Sequence, residues 1–406
     1  MSISTSLISE WQSEVNEIRT FLDENYQVSL GGPSLANYNI AGVNAQLAWG
    51  RIGVEKFCDR VIPRLTGKYS DNISSYIPTI RSAIRDCVSF GSSTIIVDAN
   101  GEMRISSPEN SAVAMNAFGN ISFQETFDNI KTRLNDDGFL EISRNDSDKF
   151  MPTDTMAFTI FYNASASHPF GVSRISPAIR NAIRAASRNK LRAEIASNYY
   201  TYPQRIINGA WDGIADGDAG DELINGISKI VAGVSQVIML PKDPDTGEKM
   251  DLQEWSASDG GSYERTQTLL ATEVATAFNI DPSELGVIKT NPASAEALYA
   301  TKEDLVLEVS AFEQSIRGQL QAVIVRLCET LGIDDVPTIG FAEPSTPSKA
   351  SQADAFVKLA SVLPQLKYSP AALSWAGLPD ELANALIQDE TQYETQDDNN
   401  EGTENE

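Results

Sequence analysis

The feature that most constrains the fold is a long helical pattern in the last third of the chain. From residue 292 to 331 apolar side chains recur every three or four positions, at Leu305, Val309, Phe312, Ile316, Leu320, Val323 and Leu327. Asn291 is placed to cap this helix, Pro292 to open it and Gly318 to bend it. At about 1.5 Å per residue the helix would be on the order of 60 Å long, so other elements must flank it.

The first 165 residues combine helical and strand patterns. Helical spacing marks residues 7–22, 44–65 and 73–91, and β-branched runs then alternate as far as residue 163, the first two joined by an Asp-Ala-Asn-Gly turn. With 406 residues the chain exceeds what one hydrophobic core usually serves, so we expect two or more subdomains or an extended protomer of several parts. The prediction is an α+β fold that is predominantly helical, with antiparallel strands in its first part.

Two further helices are predicted in the middle of the chain. Ser176 and Pro177 supply the N-cap and first position of one that runs to about residue 200, and residues 262–278 form the other. Between them, strand-like "SQVIML", the turn "PKDPDTGEKM" and the return strand "DLQEWSAS" predict a hairpin module. A loop at 279–291, containing proline, glycine and asparagine, leads to the long helix.

Cysteine usage and hydropathy indicate a soluble protein made in a reducing cytoplasm. Cys58, Cys87 and Cys328 show no paired or metal-ligand spacing, so we expect buried free thiols. No run approaches the roughly 18 uninterrupted apolar residues that a membrane-spanning helix needs, so no membrane contact is expected.

The patterns of known catalytic and metal sites are missing from the sequence. His168, the single histidine, stands beside Pro169 without a serine or cysteine nucleophile motif. Gly67 and Lys68 lack the upstream glycine and the following hydroxyl residue of a phosphate-binding loop. The acidic turn at 212–222 lacks the glutamate that closes an EF-hand loop, although divalent binding there stays an alternative. We expect no enzymatic activity, no cofactor and no metal.

Four stretches in a fixed order carry a family resemblance. They are "SFGSSTIIVDANGEMRI", "HPFGVSRISPAIRNAIRAASRNKLRAEIASNYYTYPQRIINGA", "QTLLATEVATAFNIDPSELGV" and "NPASAEALYATKEDLVLEV". Together they resemble a tailed-bacteriophage portal protein, of the type found in long-tailed phages of Gram-positive bacteria. The similarity extends over residues 45–331, and residues 171–210 and 291–309 are its most specific parts. The resemblance implies a homo-oligomeric ring of about twelve subunits at one capsid vertex, which forms the channel for double-stranded DNA.

The resemblance also implies a division of the protomer into named parts. These are a wing (1–170), a first stem helix (171–200), a clip (201–259), a second stem helix (260–278), a tunnel loop (279–291), a long spine helix (292–331), a return to the wing (332–346) and a helical crown (347–388). Residues 389–406, with eight acids and no base, form a disordered acidic tail, and docking of that tail on a basic partner is the alternative.

Partners and DNA-facing residues follow from the same resemblance. The implied partners are a terminase packaging motor, scaffold and major capsid proteins, and a head-tail adaptor, in a virion assembled in the host bacterial cytoplasm. In the tunnel loop the candidates for facing DNA are Asp281, Glu284, Lys289 and Asn291. Lys289 is the only base near the two acids, and an ordinary surface lysine is the alternative interpretation.

A ladder of basic residues lies within the first stem helix. Between residues 174 and 192 there is no acid, and the candidates for inter-subunit contact are Arg180, Arg184, Arg188, Lys190 and Arg192. Like charges four residues apart destabilise an isolated helix by about 0.2–0.5 kcal/mol per pair, so nearby acids are expected. The clip offers Asp216, Asp218, Asp221 and Glu222, which could belong to the next subunit. Two alternatives for this ladder are a face stabilised only by water, and contact with DNA phosphates or with an acidic partner.

The net charge of −25 argues against a surface that binds nucleic acid tightly. About twelve copies would give a ring with a formal charge near −300, whose channel wall would repel a phosphate backbone and let it slide.

Two other classes of protein stay open on sequence alone. One is another self-assembling virion protein, such as a head-tail connector or capsid component, and the other is a hydrolase with an unrecognised site.

Overall fold

The structure analysed is a computed structural model. It describes residues 5–28, 45–115, 120–127, 130–135, 137–144, 149–199, 204–208, 251–255, 261–287, 295–344, 349–363, 369 and 372–373. The chain divides into two units, Met1–Ala342 and Glu343–Glu406. The second unit is described mainly through one helix, α8 (Lys349–Val362).

The helices of the first unit follow the apolar spacing of the sequence. They are α1 (Thr5–Leu22), α2 (Trp49–Cys58), the single turn α3 (Ser70–Ile73), α4 (Ile77–Phe90), α5 (Pro177–Tyr199), α6 (Gly261–Ala277) and α7 (Ala295–Leu331). The predicted N-cap of α5 is confirmed, because the Ser176 Oγ accepts a hydrogen bond from the Ile179 backbone N–H at 3.4 Å. Helix α7 passes through Gly318 without interruption and has 37 residues, a length of about 55 Å.

Seven strands of the first unit form one antiparallel sheet in the order β3-β2-β8-β7-β6-β5-β4. They are β2 (Ser92–Val97), β3 (Met103–Ile105), β4 (Ser111–Met115), β5 (Ile121–Phe127), β6 (Ile130–Leu134), β7 (Phe139–Arg144) and β8 (Met151–Phe161). The predicted hairpin is confirmed by the pairing of Val97 with Met103. Its turn is closed by the Asp98 carboxylate, which accepts hydrogen bonds from the backbone N–H groups of Asn100 and Glu102.

The sheet curls, so that its edge strand β3 meets β5. Arg104 of β3 makes two hydrogen bonds, of 3.0 and 2.8 Å, to the carboxylate of Glu125 on β5. Ser106 donates a third to the same carboxylate, and these bonds outweigh the effect of burial and lower the Glu125 pKa. Inside the curl lies a small apolar cluster made of Ile96, Val113, Phe123 and Leu140.

The main core lies where the helices pack on β2 and β8. The apolar stripe predicted for α7 is confirmed, since all seven of its residues from Leu305 to Leu327 are buried. Trp11, Val15 and Ile18 of α1 belong to the same cluster. Cys58, Cys87 and Cys328 are buried and free, as expected. Among the described helices, none combines the length and apolar character required to cross a bilayer.

Strand pairing corrects one local prediction and adds a strand that the sequence patterns did not predict. The helix expected at 44–65 ends at Cys58, and Pro63–Thr66 forms strand β1, antiparallel to β11 (Thr338–Phe341). Pro63 lacks the backbone N–H that a helix interior needs. The strand that pairs with β1 comes from a segment far away in the chain. The return strand "DLQEW" is β10 (Asp251–Trp255), but it pairs with β9 (Gln204–Asn208), which the sequence patterns missed. "SQVIML" and the predicted turn lie outside the described residues.

Candidate functional site at the arginine helix and the turn before the long helix

The N-terminal half of the basic ladder is paired within the chain. Arg180 is buried; its guanidinium donates to the Ile175 carbonyl at 3.2 Å and lies 3.2 Å from a Glu14 carboxylate oxygen. Arg184 contacts the Glu17 carboxylate at 2.6 Å and stacks over the Phe21 ring. These acids of α1 relieve the repulsion expected along α5. Sequence reasoning missed them, although Glu14 and Glu17 stand three residues apart on the polar side of a predicted helix.

The C-terminal half of the ladder faces solvent. Arg188 and Arg192 are exposed and Lys190 is half-buried, and none of the three forms an ion pair with a described residue. Their expected partners Asp216, Asp218, Asp221 and Glu222 lie outside the described residues. The inter-subunit interpretation of the ladder therefore stays a prediction.

Helices α5 and α6 form a tightly packed pair. The Asn189 amide of α5 donates to the Tyr263 carbonyl at 2.9 Å and to the Gln267 side chain at 3.0 Å. Further along α6, Ala271 and Val274 are fully buried. On another side of α5, the Ser187 hydroxyl lies 2.6 Å from that of Tyr26, whose pKa is raised mainly by burial. The pair is thus fixed to the rest of the unit.

Arg174, just before α5, is the centre of a buried cluster that joins four parts of the fold. Its guanidinium contacts the Glu308 carboxylate of α7, the Tyr162 hydroxyl at 3.0 Å, the Gly53 carbonyl of α2 at 3.3 Å and the Phe278 carbonyl at the end of α6. It also lies over the Phe57 ring, 4.4 Å from its centroid. A buried cation needs this many partners to offset its lost hydration.

Two neighbours of Arg174 show how closely this cluster is packed. A Cβ atom added to Gly53 would lie 2.5 Å from the Phe278 ring, so only glycine fits there. Burial raises the pKa of the Tyr162 hydroxyl well above its ordinary value, which keeps the phenol protonated as a hydrogen-bond donor to Glu308.

The turn at 279–287 that follows α6 is anchored to the same cluster. Asn279 has a left-handed backbone (φ 51°), and its amide donates to the Glu308 carboxylate at 3.0 Å. The Asp281 carboxylate caps the short 3-10 helix Pro282–Leu285 through the Ser283 N–H at 2.8 Å. The Leu285 carbonyl accepts a hydrogen bond from the Trp49 indole at 3.2 Å.

Of the four residues expected to face DNA, the structure describes two, Asp281 and Glu284. Asp281 acts as a cap, and Glu284 lies 2.9 Å from the Lys56 ammonium, so both carboxylates bind groups of their own chain. Lys289 and Asn291 lie outside the described residues. In the part of the chain that is described, no group of three or more histidine, cysteine, aspartate or glutamate side chains is arranged to hold a metal ion.

Comparison with known proteins finds similarity between this chain and phage portal proteins. No protein-family model matches the chain. Over 197 residues, 47% of this chain, it is 26% identical to the portal proteins of Mycobacterium phages D29 and L5. The match covers 39% and 38% of those proteins, so the chain spans about two fifths of the length of the curated relatives it matches.

Two solved structures are also similar to the chain. One is the neck of a native GTA particle computed with C12 symmetry, with a TM-score of 0.49 and 15% identity over 90% of this chain and 99% of that one. The other is an HK97-family phage portal protein from Corynebacterium diphtheriae, with a TM-score of 0.31 and 13% identity over 73% and 95% of the two chains. The match to the two mycobacteriophage proteins confirms that this chain resembles a tailed-phage portal protein.

Proposed function

We propose that this chain is a phage portal protein, whose copies form a ring-shaped channel for double-stranded DNA at one capsid vertex. The observation that carries the proposal is the 26% identity over 197 residues to two mycobacteriophage portal proteins. Such a ring would serve genome packaging, head-tail joining and DNA ejection. We propose that this chain has no enzymatic activity. The ATP hydrolysis that drives packaging then belongs to a partner protein.

In this proposal each portal part corresponds to described elements. The curled sheet with α1 to α4 is the wing, and α5 and α6 are the two stem helices. Strands β9 and β10 form the base of the clip, because they pair with each other and stand between α5 and α6 in the sequence. The turn at 279–287 is the described part of the tunnel loop (279–291), α7 is the spine, and β11 returns to the wing by pairing with β1. Helix α8 begins the crown.

The charge of the chain suits a channel that DNA must slide through. About twelve copies, each with a net charge of −25, repel a phosphate backbone, whereas a basic lining would bind it by counterion release. Of the tunnel-loop candidates, Lys289 and Asn291 are the two we propose to reach the channel, since Asp281 and Glu284 have partners within the protomer.

The proposed partners are those that a portal ring meets during assembly. They are other copies of this chain in a ring of about twelve, a terminase motor, scaffold and major capsid proteins, and a head-tail adaptor.

Electron microscopy and mass measurement of the purified protein test the proposal. Negative-stain images should show rings with a central hole, and the particle mass should correspond to about twelve protomers. Compact two-fold dimers without rings at every salt concentration would contradict it and favour the head-tail connector or an enzyme.

A further inference from the structure

We propose that the groove between the end of β8 and α7 binds an extended, apolar peptide segment of another protein, which adds as a strand to the open edge of β8. The inference goes beyond the proposed function and does not depend on it. Three features carry it: backbone groups of β8 that no described strand pairs, a groove that runs along them, and the apolar side chains that line the groove.

Strand β8 continues beyond the strand that flanks it on one side. Its pairing with β7 ends where Phe139 stands opposite Met156, and the last backbone bond on that side runs from the Ala157 N–H to the Gly138 carbonyl at 3.4 Å. On its other side β8 stays paired with β2 as far as Phe161. The side of β8 that faces β7 is therefore open along its last residues.

The backbone groups of Thr159 and Phe161 face this open side. Successive residues of a strand turn their N–H and C=O groups to opposite sides. Ala157 donates towards β7, whereas Tyr162 donates to the Gly91 carbonyl at 2.8 Å on the β2 side. Thr159 and Phe161 follow the direction of Ala157, and within the described part of the chain neither has a strand beside it there. Because Thr159 is only 3% exposed, its peptide groups need a hydrogen-bond partner.

A groove of about 500 Å³ runs along this edge. Six consecutive residues, 159–164, line one of its sides, whereas a pocket on one face of a sheet would meet only every second residue. Its other side is α7 from Glu308 to Gln319, a length of about 17 Å. At about 3.3 Å per residue, an extended segment of about five residues matches that length.

The walls of the groove suit apolar side chains without a strong charge. The larger apolar side chains come from the ends of β4, β5 and β8 and from α7: Met115, Ile121, Phe161, Phe312 and Ile316. Among the described residues of the lining, Glu308 is the only charged one, and Arg174 offsets its charge from the buried side. The net charge of −25 on the whole chain then disfavours an acidic segment as the occupant.

The edge and the size of the groove identify the kind of occupant. A row of backbone N–H and C=O groups is complementary to the backbone of another extended peptide. A strand of about five residues buries far less than the roughly 1,000 Å² of a stable interface between folded chains. The occupant is therefore a linear segment of a different protein, and a folded second copy of this chain would be held by too little surface.

Selection of random peptides on the purified full-length chain tests the proposal. Displayed peptides of about seven residues should be enriched when apolar and polar residues alternate in them, because an added strand points every second side chain into the groove. The most enriched peptide is then synthesised with a fluorescent label, and its Kd is measured by fluorescence polarisation. If no peptide is enriched, the proposal is wrong.

Methylation of single backbone amides in the selected peptide tests the addition of a strand. Every second N–H of an added strand points towards β8, and the others point away from it. Methylation in one register should therefore raise the Kd by about tenfold or more, and methylation in the other register by less than about twofold. Equal effects in both registers would show that the peptide does not bind as a strand.

Filling the groove from α7 tests its position. Ala311 and Ser315 line the groove and are exposed, so that Ala311→Trp and Ser315→Trp place a large side chain in it without disturbing the core. Each variant should raise the Kd of the peptide by about tenfold or more. Ala178→Trp, at an exposed position of α5, is the matched control and should leave the Kd unchanged. Circular dichroism and thermal unfolding should show all three variants folded as in the wild type.

The remaining outcomes concern the place and the source of the segment. Peptide binding by both groove variants with the wild-type Kd would place the site elsewhere and overturn the proposal. If Ala311→Trp loses rings that the wild type forms, and the peptide disperses wild-type rings, the occupant is a second copy, which overturns its assignment to another protein. Unchanged rings in Ala311→Trp, together with loss of peptide binding, are the expected result.

Discussion

Arg174 lies where α2, the end of β8, the end of α6 and α7 meet, and its side chain is almost fully buried. Replacement by methionine keeps the apolar stem but removes the guanidinium from Glu308, Tyr162 and two carbonyls. We expect the free energy of unfolding to fall by about 3 kcal/mol, measured by chemical denaturation. As a control, Arg188→Met at an exposed position of α5 should change it by less than about 0.5 kcal/mol. Equal losses in the two variants would show that the cluster does not stabilise the fold.

Gly53 tests the packing next to Arg174. Gly53→Ala should destabilise the protein by about 1–3 kcal/mol, because the new methyl group meets the Phe278 ring at 2.5 Å. Gly318→Ala is the contrasting change, since it fills open space in α7 and should stabilise the helix by about 0.5–1 kcal/mol. Thermal unfolding measures both. A Gly53→Ala variant as stable as the wild type would mean that the ring moves aside freely.

The carboxyl of Glu313 on α7 should make the stability of the fold depend on pH. Burial raises the pKa of its carboxyl to about 7, against the weaker opposing effect of Arg317. Because this folded pKa lies above the unfolded value, the folded state binds the extra proton, and its stability falls as pH rises through 7. Glu313→Gln should therefore match the wild type near pH 4 and be more stable by about 3 kcal/mol at pH 8. The exposed Glu303→Gln is the control, and denaturation at both pH values is the measurement.

At the level of elements, two carboxylates of α1 pair with arginines of α5. Glu14→Gln with Glu17→Gln removes the acids that face Arg180 and Arg184, and it leaves a buried guanidinium without its counter-charge. We expect a loss of about 2–3 kcal/mol and faster hydrogen exchange in α1. Glu10→Gln, exposed on the same helix, is the control and should leave both readouts unchanged. Unchanged exchange in the double variant would show that apolar packing alone holds α1.

The helices and hairpins were predictable because their patterns are local. The α7 stripe, the Ser176 cap and the β2-β3 turn each depend on residues within a few positions of one another. The pairing of β1 with β11 was not predictable, because its two strands are more than 270 residues apart and each is only four residues long.

At the scale of the whole molecule, the acidic tail is expected to be independent of the folded units. Deletion of residues 389–406 removes eight acids and no base, which changes the net charge from −25 to −17. We expect the unfolding temperature and the ring fraction to stay unchanged, because such a composition buries little apolar surface. Scanning calorimetry and particle counting check this. A loss of rings would instead indicate that the acidic tail docks on a basic surface of a partner.

The sequence by itself determined the fold class, the long helix, the free thiols and the resemblance to portal proteins, because these rest on local periodicity and on motif order. Only the tertiary structure decided which charges act inside the protomer. It placed Arg174, Arg180 and Arg184 against acids from distant segments and left Arg188 and Arg192 exposed, although all five belong to one basic run. Burial and ion pairing depend on which elements meet in space, and one-dimensional spacing does not encode that.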